Sequence, residues 1–571
     1  MKTNIMKKVC KGAFYMLLAP ALFAVSSCSS MLETDSELVE FEKDNTLNHP
    51  TDSVYSVLGI ISKLQVIADR GVILGEARGD LVKTTVAASA DLKDIASFKV
   101  QTGNKYNEVS DYYAVINNCN YFITHVDTLL ERRGRRIFEN EYAAVKAFRA
   151  WTYLQMVQIY GEVPLVITPV MTEIEAKEAM LQPRMGITDI CNYFISDLTP
   201  YAERKVPNYG TIDSRDSRMF FIPMKPLLGD LCLWAGRYQE AAQWYHSYLA
   251  DRDNPVRTST TRSSWNNTEF QLSFPSLIMN VNSSDEMISY IPMETKVFDG
   301  TISDLPNIFT STRHNNYYYQ LTPSTAMFNL SKQQTYCYLD KRATITDTLY
   351  VTKQGLQKDV YAGDLRLASA YSEYSVNQDA FSEYSSLRQT IGKVSSNLVK
   401  TYRKTVIYLR YAEALNRCGL PQSAMAVLKY GLYPDNVKLY VDSLEQAKAG
   451  NLITFDANQF TEYNTQGIHS RGSGSSEANA YYTMPMPETA LATREDTINY
   501  QITHVEDLII NEMALETAFE GYRYFDLMRV ALRRDDPSYL ATPVSRRSGT
   551  EDATIKSLLM DKKNWFLPLP N

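Results

Sequence analysis

Apolar positions recur at helical spacing through the first 250 residues and again beyond about residue 400, which predicts a mainly α chain. Thr51 or Asp52 caps a helix running to about Asp69, with Val57, Leu58, Ile61, Leu64 and Ile67 inward. A polar break, Arg78-Gly79-Asp80, follows. Further helices are expected over Ser110–Leu130, Arg136–Tyr160 and Ile187–Glu203, with Gly161 ending the third. Two helix–turn–helix pairs come next. Lys225–Trp234 and Arg237–Leu249 join at Gly236, and Val406–Arg417 and Gln422–Tyr430 join at Gly419. Small residues at their packing positions, Ala241, Ala242, Ala412, Ala414 and Ala424, give both pairs the look of tetratricopeptide repeats. Two pairs bury no continuous core, so neighbouring helices must complete the stack.

The stretch His504–Leu532 reads as one helix with an unusual pattern. Val505, Leu508, Ile509, Leu515, Phe519, Leu527 and Val530 share a face with Glu512, Glu516, Arg523 and Asp526. The reverse face carries Ala514, Thr517, Ala518 and Gly521, small enough for another backbone to approach closely. Such a helix lies inside the protein, and its charges must be paired, because an isolated buried charge costs several kcal/mol. Pairing is expected along the helix itself, through Glu520, Arg523, Asp526 and Arg529, and with Arg149 from the third helix.

Between these helical parts, residues 251–399 lose helical rhythm, and Ser, Thr, Asn and Tyr dominate. Short alternating runs, Glu286–Ile291 and Thr346–Val351, predict strands in a loop-rich insert. Its most aromatic point is Asn315-Asn316-Tyr317-Tyr318-Tyr319, and Trp265 sits among polar neighbours. Residues 464–480, which include Gly472-Ser473-Gly474-Ser475-Ser476, are expected to form a mobile loop.

Composition sharpens this. The chain has 571 residues, 44% hydrophobic, with 39 Tyr, 21 Phe and 5 Trp, and tyrosine suits wide surfaces that are half wet. A formal charge of −7 without a basic block argues against nucleic acid. The first 27 residues form a secretory signal, with Lys2, Lys7, Lys8 and Lys11 before an apolar run from Ala13 to Val25. Removing those four lysines and no acid takes the charge from −7 to −11. Val25-Ser26-Ser27-Cys28 resembles a lipobox, so Cys28 is the expected lipidation site, followed by an acidic tether over 28–45. Five cysteines remain, without CxxC spacing, and six histidines show neither HxxxH nor HExxH; no metal or cofactor is implied.

The segments KAFRAWTYLQMVQIYGEVPLV, YLRYAEALNRCG, EMALETAFEGYRYFDLMRV and the terminal WFLPLPN occur in that order. Together they resemble the SusD/RagB family of outer-membrane nutrient-binding lipoproteins. The family's patterns are matched by Arg149, Ala150, Tyr160, Gly161, Glu162, Pro164 and Leu165, then by Tyr411, Ala412, Glu413 and Ala414. Its C-terminal signature is matched by Glu512, Glu516, Glu520, Gly521, Arg523, Asp526, Leu527 and Arg529. Met513, Thr517 and Ala144 depart from the usual residues, and the tail that normally follows the closing Pro-x-Pro is missing after Asn571. The resemblance implies a single domain over 46–571, with a tetratricopeptide-like scaffold (46–250 and 400–535) and the 251–399 insert facing the ligand. It implies a surface lipoprotein that captures oligosaccharides or peptides for a partner TonB-dependent, SusC-like barrel transporter. Ligand-facing candidates are Arg78, Asp80, Trp265, Asn315, Tyr317, Tyr318 and Tyr319. Two other classes compete: a lipid-anchored glycoside hydrolase using carboxylates such as Glu516 and Glu520, one helical turn apart, and a tetratricopeptide adaptor that binds only protein.

Overall fold

The computed structural model describes residues 47, 49–258, 264–265, 270–271, 286–293, 301–310, 318–333, 337–342, 345–352, 355–357, 363–375, 387–394, 397–473 and 482–569. Residues 48–571 cluster as one compact unit. It is built from α1 (Pro50–Ala77), α2 (Val109–His125), α3 (Glu139–Tyr160), α4 (Ile187–Leu198), α5 (Met224–Trp234) and α6 (Tyr238–Leu249). After the insert come α7 (Lys404–Arg417), α8 (Pro421–Met425), α9 (Arg494–Thr517) and α10 (Arg523–Arg534). Each helix from α1 to α7 packs on the next, and α7 packs on both α8 and α9, so the helices flanking the two repeat pairs do complete the stack. The expected boundaries hold within about five residues, except that α1 runs eight residues further, to Ala77, and α9 begins ten residues before His504, at Arg494.

Both repeat turns rest on glycine. Gly236 and Gly419 have φ of 78° and 79°, a region that side chains with a Cβ avoid. Inside the first pair, a Cβ on Gly229 would lie 2.4 Å from the Tyr245 ring. That ring is buried against α5, and its hydroxyl donates to Asp230 at 2.6 Å. Cys119, Cys191 and Cys232 are buried free thiols, packed as small core residues.

The insert adds short antiparallel ladders. Strands β1 (Met287–Pro292) and β2 (Leu398–Arg403) pair with each other, close to the predicted run at Glu286–Ile291. The run at Thr346–Val351 is the middle strand, Ile345–Thr352, of a three-stranded meander. No helix among the described residues is long and apolar enough to cross a membrane.

One expectation fails. His504–Leu532 is not one helix: it breaks between Thr517 and Arg523, where Phe519 and Gly521 take φ of 69° and 93°. The break lets Gly521 press against α1, as the small-residue face suggested. A Cβ on Gly75 would come within 1.8 Å of the Gly521 carbonyl oxygen, and one on Gly521 within 2.6 Å of the Val72 Cα. The Gly521 N–H donates to the buried Glu76 carboxyl at 2.8 Å.

Candidate functional site

The buried acids of α9 and the break beyond it join the insert to the scaffold. Glu512, Glu516 and Glu520 are all buried. Arg366, from the insert, donates to Glu512 at 2.5 Å and Glu516 at 2.9 Å while its other nitrogens hold Asp364. Arg403, at the end of β2, donates to both oxygens of Glu520 at 2.8 and 2.9 Å, to Glu516 at 2.7 Å and to Glu286 at 3.1 Å. Arg471 bridges Glu286 at 2.8 Å and Glu516 at 3.1 Å, and His469 meets Glu512 at 2.9 Å. The helix end is closed by cations. Lys393 donates to the carbonyls of Glu516 and Ala518 at 2.7 and 3.1 Å and meets the Glu520 carboxylate at 2.6 Å. Arg403 adds a bond to the Glu516 carbonyl at 2.9 Å. Positive charge at a helix C-terminus satisfies the carbonyls that have no partner within the helix.

Several pairings therefore differ from those expected. The acids of α9 are met by residues 366, 393 and 403 and by the 469–471 turn, more than by arginines at helical spacing; only Asp526–Arg529, at 2.8 Å, pairs that way. Arg529 also holds Glu413, and Arg523 holds Asp80 at 2.7 and 2.9 Å. Arg149 is not a partner of Asp526: it donates to Asp197 at 3.1 Å and Asn120 at 2.9 Å, a separate cluster that Lys146 shares. Residues 464–473, expected in a mobile loop, are packed on the core through His469 and Arg471.

This arrangement has a definite chemistry. Burial by itself raises the pKa of a carboxyl, but Arg366 and His469 outweigh it at Glu512, Arg471, Arg403 and Arg366 at Glu516, and Arg403 with Lys393 at Glu520. All three are held below the ordinary carboxylate range, and Glu286 is brought down to about 2. None can act as a proton-donating acid near neutral pH, the role that a glycosidase pair requires of one carboxyl.

Of the ligand-facing candidates, Arg78 and Asp80 are buried. Arg78 is 1% exposed, lies 4.2 Å from the centre of the Tyr524 ring, and donates to the Tyr524 hydroxyl and the Trp565 carbonyl. Asp80 is the buried partner of Arg523. Tyr318 and Tyr319 are half-buried, with the Arg388 guanidinium 5.5 and 5.4 Å from their ring centres. The Tyr319 hydroxyl accepts the Gln389 N–H at 3.1 Å. Trp265 lies in a two-residue strand paired with Phe270–Gln271. Cys28, Asn315 and Tyr317 lie outside the described residues. Sequence reasoning missed Glu286, Asp364, Arg366, Lys393, Arg403, His469 and Arg471. Their only signal was that they are charged or imidazole side chains within stretches otherwise rich in Ser, Thr, Asn, Tyr and Gly.

A cleft of about 1260 Å³ opens between the end of α1, the turn around residues 98–101, the short strand Arg184–Gly186 with the start of α4, the α5–α6 turn, the end of α10 and residues 562–569.

Paired helices stacked in chain order, carrying an insert of loops and short ladders, define a helical-repeat scaffold. Among solved structures, the chain has the SusD fold. A SusD superfamily protein from Bacteroides vulgatus matches with a TM-score of 0.58 at 13% identity, over 90% of this chain and 92% of that one. One from Bacteroides thetaiotaomicron matches with 0.56 at 13%, over 89% and 92%. A SusD-like carbohydrate binding protein from Bacteroides fragilis matches with 0.54 at 15%, over 86% and 88%. No protein-family model and no curated protein sequence matches the chain.

Proposed function

We propose that this chain is a cell-surface lipoprotein of the SusD/RagB family, anchored in the outer membrane through Cys28. It binds oligosaccharides, or peptides, and delivers them to a SusC-like, TonB-dependent barrel transporter. The observation that carries this reading is the ionic seam between insert and scaffold. It holds the insert in one pose, so that Tyr318 and Tyr319, with Arg388 over their rings, offer a preorganised aromatic surface. Trp265, Asn315 and Tyr317 are the other ligand-contacting candidates in this reading. The fold is shared with a SusD-like carbohydrate binding protein, and the seam's depressed carboxylates suit binding without turnover.

Affinity electrophoresis of the soluble 29–571 form in gels containing single glycans tests the proposal. Retardation without hydrolysis is the expected result, and Tyr318→Ala should weaken binding about tenfold, the size of one aromatic contact of roughly 1.4 kcal/mol. Hydrolysis of the retarding glycan, or binding of a transporter but of no glycan or peptide, would overturn it.

A further inference from the structure

The cleft on the scaffold carries a chemistry that the insert does not. Its lining holds eight basic residues and two acids, Glu162 and Asp189. Arg417, Arg529, Arg533 and Lys562 are engaged by Glu413, Glu506 and Asp535. The remaining four are Arg78, Lys99, Arg184 and Lys563, and among the described residues none of them has a carboxylate partner. Arg78 is the most telling. Two of its nitrogens, Nε and Nη1, have no hydrogen-bond partner although the side chain is buried in the cleft wall. Orphaned donors on a buried guanidinium are rare in folded proteins, and a guanidinium is a ready hydrogen-bond partner for a carboxylate or sulfate oxygen.

We infer that this cleft is a second binding site, for oligosaccharides that carry carboxylate or sulfate groups. The inference rests on the sugar-binding reading above and adds a ligand class to it. The volume suits several sugar rings. The polar groups are mixed: cations at Arg78, Lys99, Arg184 and Lys563 sit with Glu162 and Asp189, which accept hydrogen bonds from sugar hydroxyls. A polyanionic peptide would meet those two acids as like charges, whereas a sugar with spaced anionic groups uses both kinds. Burial pulls the Arg78 guanidinium below its ordinary value, which an incoming anion would reverse.

Lys99 and Lys563 are exposed, so Lys99→Glu with Lys563→Glu reverses the cleft's charge without touching the core. Calorimetry of the 29–571 form would use trigalacturonate, a heparin-derived tetrasaccharide, maltotetraose and hexaglutamate as probes. The expected result is binding of an acidic glycan that weakens at least tenfold in the double variant and with added salt. Which acidic glycan binds tells carboxylate from sulfate. Binding of an acidic glycan that the double variant leaves intact and Tyr318→Ala weakens would overturn the inference and leave the sugar-binding reading standing. So would binding of maltotetraose alone. Binding of hexaglutamate and of no glycan would overturn it in favour of an acidic peptide, and retention of no glycan in either experiment would remove the sugar-binding reading itself.

Discussion

Replacing Arg403 with methionine tests the seam most directly. The side chain is 1% exposed and makes five hydrogen bonds, four to the carboxylates of Glu286, Glu516 and Glu520 and one to the Glu516 carbonyl. Removing Arg403 leaves Glu286 to Arg471, Glu516 to Arg366 and Arg471, and Glu520 to Lys393, whose own charged form burial disfavours. The loss should therefore reach the cost of breaking a buried pair, about 3–5 kcal/mol at pH 7. Unfolding entropy of roughly 2.1 cal/mol/K per residue gives a body of this size about 1.1 kcal/mol/K, so Tm should fall by about 3–5 °C. The pH dependence supplies the sign. Glu286 and Glu520 have folded pKa values below their unfolded ones because Arg403 helps hold them down. The stability they contribute is complete above the unfolded carboxylate range and is lost as pH falls through the folded values. The variant lacks much of that contribution, so its deficit should shrink between pH 5 and pH 3. Thermal scans across that range decide the matter: a Tm within 1 °C of wild type at pH 7, or a deficit that grows on acidification, would refute the reasoning.

Three other outcomes follow from separate parts of the structure. Burial raises the Glu76 carboxyl to about 8 and Asp69 to about 6, so their folded forms hold protons that the unfolded chain has lost. Stability should fall as pH rises from the ordinary carboxylate range towards 8, and Glu76→Gln should remove its share, a slope of about 1.4 kcal/mol per pH unit, in urea titrations at pH 5 to 8. Gly75→Ala drives a methyl into the Gly521 carbonyl and should cost about 3 kcal/mol or more, read as lost soluble expression or a collapsed Tm; native-like stability would mean that α1 and the break do not touch. Arg149→Ala leaves Lys146 on Asp197, so its cost should be smaller, about 1–3 kcal/mol, with glycan retardation unchanged.

The helices were legible because their cause is local. Apolar spacing places α2 to α7 within about five residues, and Gly236 and Gly419 mark the repeat turns. The partners of the buried acids were not legible. Arg403 reaches Glu520 across 117 residues and Arg366 reaches Glu512 across 146, and periodicity carries no information at that range. The same blindness hid the break at Phe519–Gly521. Helical phase continues through it on paper, while the close contact with α1 and the cations on the Glu516 and Ala518 carbonyls end the helix in space. Asp80 was hidden for a related reason: a polar turn looks solvent-facing unless Arg523, 443 positions away, is known to cover it.

The seam's value lies less in stability than in position. A buried ion pair gains little over well-packed apolar groups of similar size, because desolvation offsets most of the attraction. An apolar seam, however, tolerates sliding, since any greasy contact replaces another. Here each guanidinium is divided among carboxylates from different segments: Arg403 among Glu286, Glu516 and Glu520, Arg471 between Glu286 and Glu516, Arg366 among Asp364, Glu512 and Glu516. A shift of one residue in β2 or in the 469–471 turn would strand several of these charges at once. Arg366, Lys393 and Arg403 are thus each fixed against α9 and the break beyond it in a single register.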